Sequence, residues 1–229
     1  MERILPTLSR ISCMAALVIP VSAIAAIDMM PKEATLRNDV TSVEVVNNGD
    51  RNEYVSISLS RLRNPGVPLD KEHLEPIGEI AQPSLYAYPF RMSLAPGQTK
   101  TLTLKALHPV DTETVYRLDV KPVIKVLGAG HAKPSANVVA NLAFSGIVRQ
   151  LPAKPREGLA VSCEVSGVLL TATGNVHYRV EGAKVDGQSI DDFNVYPGVP
   201  LPVRGRVVSI PGQPVCGGEA SINPLHPAD

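Results

Sequence analysis

The chain has 229 residues, enough for two domains of about 100 residues each. Hydrophobic residues make up 44% and charged residues 19%, and the 21 prolines and 17 glycines favour short strands and turns over long helices. Lysine plus arginine and aspartate plus glutamate both number 22, which gives neither a basic field for nucleic acid nor an acidic tail. We therefore predict an all-β protein that recognises its partners by shape, backbone and local charge, with no nucleic acid among them.

The N-terminus has the features of a secretory signal peptide. Arg3 and Arg10 flank the start of an apolar run that ends in the small residues Ala23 and Ala25. This run is short and interrupted by proline, which suits a membrane span less well; a retained anchor is the alternative. We predict that residues 1–25 are a signal peptide and that the mature chain is exported.

Two cysteines, Cys163 and Cys216, remain when the predicted signal and its Cys13 are removed. In an oxidising compartment such a pair most often forms a disulfide, with two free thiols as the alternative. A zinc site is not expected, because the five histidines lack the spacing of metal ligands. We predict a disulfide in the C-terminal half, and neither a metal nor a cofactor.

Alternating apolar and polar residues predict strands after the signal. The first extended segment contains Pro31, which confines it to the edge of a sheet. Strands at 42–46 and 53–61 flank the turn-forming residues 47–50, so we predict a hairpin. Prolines and charges recur over 64–83, which predicts a loop or crossover.

The next elements follow a clear turn signal. A strand ending at Leu94 leads through Ala95-Pro96-Gly97-Gln98 into a strand at 99–107, and Pro-Gly in the centre is typical of a type II turn. An alternating strand begins near 113, and a segment rich in Gly, Ala and Pro covers 127–136. About seven short strands with regularly spaced turns predict an immunoglobulin-like sandwich.

The segment 137–149, NVVANLAFSGIVR, is the most apolar strand of the mature chain. Because side chains alternate along a strand, one face carries an apolar row, and the other mixes small, polar and apolar groups and ends in Arg149. The row consists of Val138, Ala140, Leu142 and Phe144. An exposed apolar row needs a partner chain to cover it, whereas an interior strand also reads as an apolar run. Both interpretations stay open from this segment alone.

LPAKPREG at 151–158 combines two prolines with a charge cluster and predicts a domain boundary. We assign an N-terminal domain to 26–152 and a C-terminal domain to 153–229. The second domain is also predicted to be all-β, with short strands whose order the sequence does not settle.

Several stretches resemble the PapD-like periplasmic chaperones of pilus assembly, most closely the alternate branch that serves colonisation-factor fimbriae. The matching stretches are RLRNPG (61–66), LYAYPFRMSLAPGQTKTLTL (85–104), ETVYRLDVKPV (113–123) and NVVANLAFSGIVRQLP (137–152), followed by GNVHYRVEGAKV (174–185) and YPG (196–198). They lie in the family's order. The resemblance implies two immunoglobulin-like sandwich domains in a boomerang arrangement, located in the periplasm.

The resemblance also implies a function. A chaperone of this family lends a strand to a fimbrial subunit (pilin) that lacks its own final strand, and delivers the subunit to an outer-membrane usher. The row Val138, Ala140, Leu142 and Phe144 would fill the subunit's groove. Whether the free chaperone self-associates to hide this edge stays open.

In this family two basic residues between the domains hold the subunit's C-terminal carboxylate. Arg149 is the counterpart of one of them, and its guanidinium can donate two parallel hydrogen bonds to a carboxylate; an ordinary solvated charge is the alternative. The second basic residue lies on the first strand, where counting without gaps gives Ala34. Lys32 is the nearest cation on that strand, and we predict it as the second anchor.

Catalysis is not expected. Ser145-Gly146 lacks the strand-turn-helix setting of a nucleophile elbow, and the adjacent Asp191 and Asp192 would point to opposite faces of a strand. The alternative function is a fimbrial structural subunit or adhesin. A subunit should carry its donor segment near the mature N-terminus, whereas the apolar strand of this chain is central.

Overall fold

The computed structural model describes residues 26–37, 39–123 and 143–217. The predicted signal peptide at 1–25 and three residues of the predicted donor row, Val138, Ala140 and Leu142, lie outside the described residues. Within these ranges the chain forms nineteen β-strands and two short 3-10 turns, Leu69–Lys71 and Ile77–Glu79. No helix in the described ranges is long and apolar enough to cross a membrane. The predicted all-β class is confirmed.

The first ten strands build two sheets around one apolar core. They are β1 (Ile27–Met30), β2 (Glu33–Leu36), β3 (Val40–Asn47), β4 (Glu53–Leu62), β5 (Leu74–Pro76), β6 (Leu85–Tyr88), β7 (Arg91–Leu94), β8 (Thr99–Ala106), β9 (Thr114–Pro122) and β10 (Phe144–Gln150). One sheet has the order β1-β3-β8-β6, and the other has the order β2-β10-β9-β4-β5 with β7 also paired to β4. Alternate residues of both sheets form a single buried cluster, so these strands make a sandwich.

The first extended segment contributes to both sheets. Its residues before Pro31 pair with β3, and those after it pair in parallel with β10, so each half lies at a sheet edge as predicted. The segment passes so close to Gly146 that a Cβ atom there would contact Met29 and come within 2.7 Å of the Lys32 carbonyl oxygen. Glycine therefore permits the close approach of two backbones at this point.

The predicted hairpin over 42–46 and 53–61 is wrong. Its two strands form, but β3 pairs with β1 and β8, whereas β4 pairs with β9, β5 and β7 in the opposite sheet. Asn47 is fully buried, and its side-chain amide donates to the carbonyl oxygens of Arg51 at 2.6 Å and Leu94 at 3.0 Å. The polar residues of this connection therefore join the two sheets instead of closing a hairpin.

The Pro-Gly turn is confirmed. Gly97 has a φ of +70°, and the Gln98 amide donates to the Ala95 carbonyl oxygen at 3.0 Å. Its flanking strands, β7 and β8, again belong to opposite sheets. Alternation predicts that one face of a strand is buried, but it does not say which neighbour the strand pairs with.

The remaining strands are shorter and form three small sheets. They are β11 (Leu159–Glu164), β12 (Gly167–Ala172), β13 (Tyr178–Val180), β14 (Lys184–Val185), β15 (Gln188–Ser189), β16 (Phe193–Val195), β17 (Leu201–Arg204), β18 (Val207–Ser209) and β19 (Cys216–Gly217). A second apolar cluster lies between them. The predicted disulfide is confirmed, since Cys163 on β11 is bonded to Cys216 on β19 with the Cα atoms 5.3 Å apart. The boundary between 152 and 153 falls between the two groups of strands and stays a prediction.

Candidate binding cleft

Strand β10 has an inward and an outward face. Phe144, Gly146, Val148 and Gln150 lie opposite the buried row of β9, and Phe144 and Val148 pack against the first core. Parity places Arg149 on the other face, with Ile147. The sequence thus predicted correctly that the apolar row and Arg149 lie on opposite sides of this strand.

The end of β10 is fixed by a buried polar group that sequence reasoning missed. Gln150 is 3% exposed; its amide nitrogen donates to the His108 carbonyl oxygen at 2.7 Å, and its amide oxygen accepts from the Ser84 hydroxyl at 2.9 Å. The Ser84 hydroxyl also lies 2.6 Å from that of Tyr116, whose pKa burial raises. These bonds hold the inward side of the strand, which in turn orients Arg149 on the outward side.

Arg149 is buried although it is charged. It is 7% exposed, and its guanidinium donates to Glu33 Oε2 at 2.8 Å and to the Tyr196 hydroxyl at 3.3 Å. Its Nε atom lies 3.7 Å from Glu113 Oε1 and makes no hydrogen bond with the described residues. Burial lowers the pKa of Arg149, but the bonds to Glu33 and Tyr196 more than offset this effect, so the net shift is upward. The group is a permanent cation with one donor still unpaired.

Glu113 connects the two groups of strands. Its side chain is 0% exposed, and its carboxylate accepts from the backbone amide of His177 at 2.6 Å and lies 2.8 Å from His177 Nδ1. The backbone amide of Glu113 donates to the Asn175 carbonyl oxygen at 2.8 Å. Because Glu113 lies beside β9 and His177 beside β13, these bonds hold the second group of strands against the cleft next to Arg149.

The guanidinium of Arg149 lines a cleft of about 220 Å³ between the two groups of strands. Its other lining groups include Glu33, Arg117, Phe193, Asn194 and Tyr196. The second cation, Arg117, is already paired with Glu72, and both side chains are largely buried. Asn194 Oδ1 is buried and accepts no hydrogen bond from the described residues. The cleft can therefore hold a group that accepts from Arg149 and donates to Asn194.

Lys32 lies away from this cleft. It is exposed and lines a separate hollow with Met30 and Glu44. Its carbonyl oxygen accepts from the Ile147 amide at 2.9 Å, which fixes the backbone but leaves the side chain outside the cleft lining. The first-strand residue that reaches Arg149 is Glu33, while Ala34 is buried in the core. The structure does not bring Lys32 and Arg149 together, and a role for Lys32 stays a prediction.

The start of β10 has a free backbone edge. β9 pairs with this strand over its whole length, whereas β2 pairs with it only from Ile147 onwards. From Phe144 to Gly146 the edge opposite β9 meets no other strand within the described ranges. An unpaired edge of this kind can accept a strand of another chain.

The structure is similar to solved structures of fimbrial chaperones. A chain from the chaperone–tip adhesin complex of CFA/I fimbriae has a TM-score of 0.62 and 20% identity, over 81% of this chain and 94% of that chain. The class 5 fimbrial chaperone CfaA has the same score and identity, over 80% and 90% of the two chains. The chain has the fold of the periplasmic fimbrial chaperones. A structure of the CsuC–CsuE chaperone–adhesion subunit complex of Acinetobacter baumannii is also similar, with a TM-score of 0.53 and 16% identity, over 78% and 90% of the chains.

Sequence comparison gives a weaker likeness. No family model matches the chain. A CS1 fimbrial protein of Escherichia coli is 24% identical over 160 residues, and the match spans 64% of this chain and 66% of that protein, just under two thirds of its length. The structural likeness, with its CFA/I and class 5 neighbours, confirms the resemblance and the pair of immunoglobulin-like sandwiches predicted from the sequence.

Proposed function

We propose that this protein is a periplasmic chaperone that binds, folds and caps fimbrial subunits by donor-strand complementation and passes them to an outer-membrane usher. The observation that carries the proposal is the position of Arg149, a buried cation with a free donor, five residues after the free edge of β10 begins. One strand thus offers both a backbone edge and an anchor for a carboxylate.

The two contacts act on different parts of a subunit. The free edge supplies backbone hydrogen bonds, and the apolar row leading into Phe144 supplies side chains for the subunit's groove. Arg149 supplies a charged hydrogen bond to the terminal carboxylate, which fixes the register of the added strand because the distance along β10 is fixed. Neither contact requires catalysis or a cofactor, and we propose that the protein is not an enzyme.

The alternative, a fimbrial subunit or adhesin, is not favoured. The similar solved structures are described as chaperones, some of them in complex with a pilin or an adhesin, and they match about four fifths of the chain. The first sandwich also retains its own last strand, β10, between β2 and β9, whereas a subunit that needs a donor lacks its final strand.

The test is a matched pair of double substitutions in the predicted donor strand. Val138→Ala with Leu142→Ala shortens the row that would enter a subunit, and Val139→Ala with Asn141→Ala changes the opposite face. Truncating a large packed side chain costs about 2–5 kcal/mol, so the first variant should lose soluble subunit on co-expression with the neighbouring fimbrial genes. The melting temperature of the free protein should change little.

The control variant should retain the subunit. If the first variant instead melts far below the parent protein, the segment is an interior strand and the proposal fails. Phe144 is left unchanged because it packs partly against the protein's own core. Size-exclusion chromatography of the free protein would also show whether it self-associates, and an oligomer that dissociates when subunit is added would identify the binding edge as the contact.

A further inference from the structure

The cation that we assign to the subunit's carboxylate already holds a carboxylate of the protein itself. Glu33 Oε2 accepts from Arg149 Nη1 at 2.8 Å, and the two residues lie 116 positions apart in the chain. The contact follows from the parallel pairing of β2 with β10, which places Glu33 beside Ile147, two residues before Arg149. The local geometry of the first strand therefore presents an acid at the anchor.

The two partners of this pair differ in exposure. The Arg149 side chain is 9% exposed, whereas that of Glu33 is 64% exposed. Glu33 can therefore turn into water at little cost in hydration, but Arg149 cannot leave the cleft without the strand that carries it. In the empty protein Glu33 neutralises a cation that would otherwise be buried beside only one other carboxylate, that of Glu113.

We propose that Glu33 is an internal competitor for the anchor, which occupies Arg149 until the C-terminal carboxylate of a fimbrial subunit displaces it. This inference rests on the proposed function. A ligand that binds only the open form binds more weakly by the fraction of time that the form is open, so Glu33 lowers the affinity of Arg149 for every carboxylate.

The competition adds selectivity. A free carboxylate in solution must displace Glu33 without help, whereas a carboxylate on a chain already paired with the edge of β10 has a high effective concentration at Arg149. Glu33 thereby favours a carboxylate at the end of a correctly paired strand over small acids and over subunits held in another register.

The test uses the complete mature protein with N-acetylvaline as the carboxylate probe and N-acetylvalinamide as the uncharged control. The Arg149 Nε–H resonance in nuclear magnetic resonance reports binding. Glu33→Gln should bind N-acetylvaline about two- to five-fold more tightly than the parent protein, the change expected for removal of a partly exposed ion pair. Glu44→Gln removes the same charge from an exposed site on β3 and should leave the affinity unchanged.

Two results would overturn the inference, and they differ in what they say about the function. Equal binding by Glu33→Gln and the parent protein, with binding lost in Arg149→Ala, would remove Glu33 as a competitor and leave Arg149 as the anchor. If no variant binds N-acetylvaline and Arg149→Ala still captures subunits on co-expression, both the competitor and the anchor are wrong. Equal gains in Glu33→Gln and Glu44→Gln would show a general charge effect and would also overturn it.

Discussion

Arg149 and Arg179 are each surrounded by two acids, but they lie in different environments. Arg149 on β10 contacts Glu33 and Glu113 with 9% of its side chain exposed, whereas Arg179 on β13 contacts Glu181 and Asp192 with 59% exposed. An exposed ion pair exchanges hydration for a contact of similar free energy, so it contributes little to stability. A buried cation has given up its hydration and depends on its partners. Burial, more than the number of partners, thus distinguishes a candidate anchor from an ordinary surface charge.

The largest effect in this comparison is expected for Arg149→Ala. Removing one member of a desolvated charge pair costs about 2–5 kcal/mol, because the other charge is left unpaired. The unpaired charge would be the subunit's carboxylate, so co-expressed subunit should be lost. In the free protein Glu33 is exposed and Glu113 retains His177, and the variant should therefore still fold.

The control for this variant is Arg51→Ala, whose side chain is 82% exposed and which should retain the subunit. Recovery of soluble subunit and the melting temperature of the free protein are measured for both. Full capture by Arg149→Ala would make the guanidinium an ordinary solvated charge and would remove it from the site.

Sequence reasoning predicted the parts of this region that depend on neighbours along the chain. Alternation placed Arg149 on the face of β10 opposite Phe144, and the Pro-Gly pair predicted a turn that forms. The prediction failed where the partner is distant, as for the hairpin between β3 and β4, because a period of two shows that a face is buried and not which sheet it joins.

The same limit applies to the cleft. Glu33, Arg117 and Glu113 reach Arg149 or its cleft through the register of separate strands, and no spacing in the sequence encodes that register. The choice between Lys32 and Glu33 shows how small the difference is, since a shift of one residue along a strand moves a side chain to the other face. The donor row could be predicted because its members lie next to one another in sequence.

A smaller effect is expected for Glu113→Gln, which tests whether the buried acid supports both the cleft and the second group of strands. Glutamine has nearly the same shape but no charge, so the bonds to His177 weaken and Arg149 loses a nearby carboxylate. A buried polar group left poorly paired costs about 1–3 kcal/mol. The melting temperature should fall, and amide hydrogen exchange near His177 should become faster.

The matched control for that variant is Glu181→Gln, whose side chain is 65% exposed. It removes the same charge from the partner of the exposed arginine and should leave both measurements unchanged. An equal fall in melting temperature for the two variants would mean that Glu113 contributes only its charge, and its buried contacts would then carry no special role.

The smallest effect is expected for Arg179→Ala. The hydrogen bond with Glu181 raises the pKa of Arg179, but the group is fully solvated in the free protein, and water replaces its partners when it is removed. The melting temperature and the recovery of subunit should both match those of the parent protein, and raising the salt concentration should change neither difference. Lost capture with an unchanged melting temperature would show that the exposed cluster of Arg179, Glu181 and Asp192 contacts a subunit, and burial would then no longer separate the two arginines.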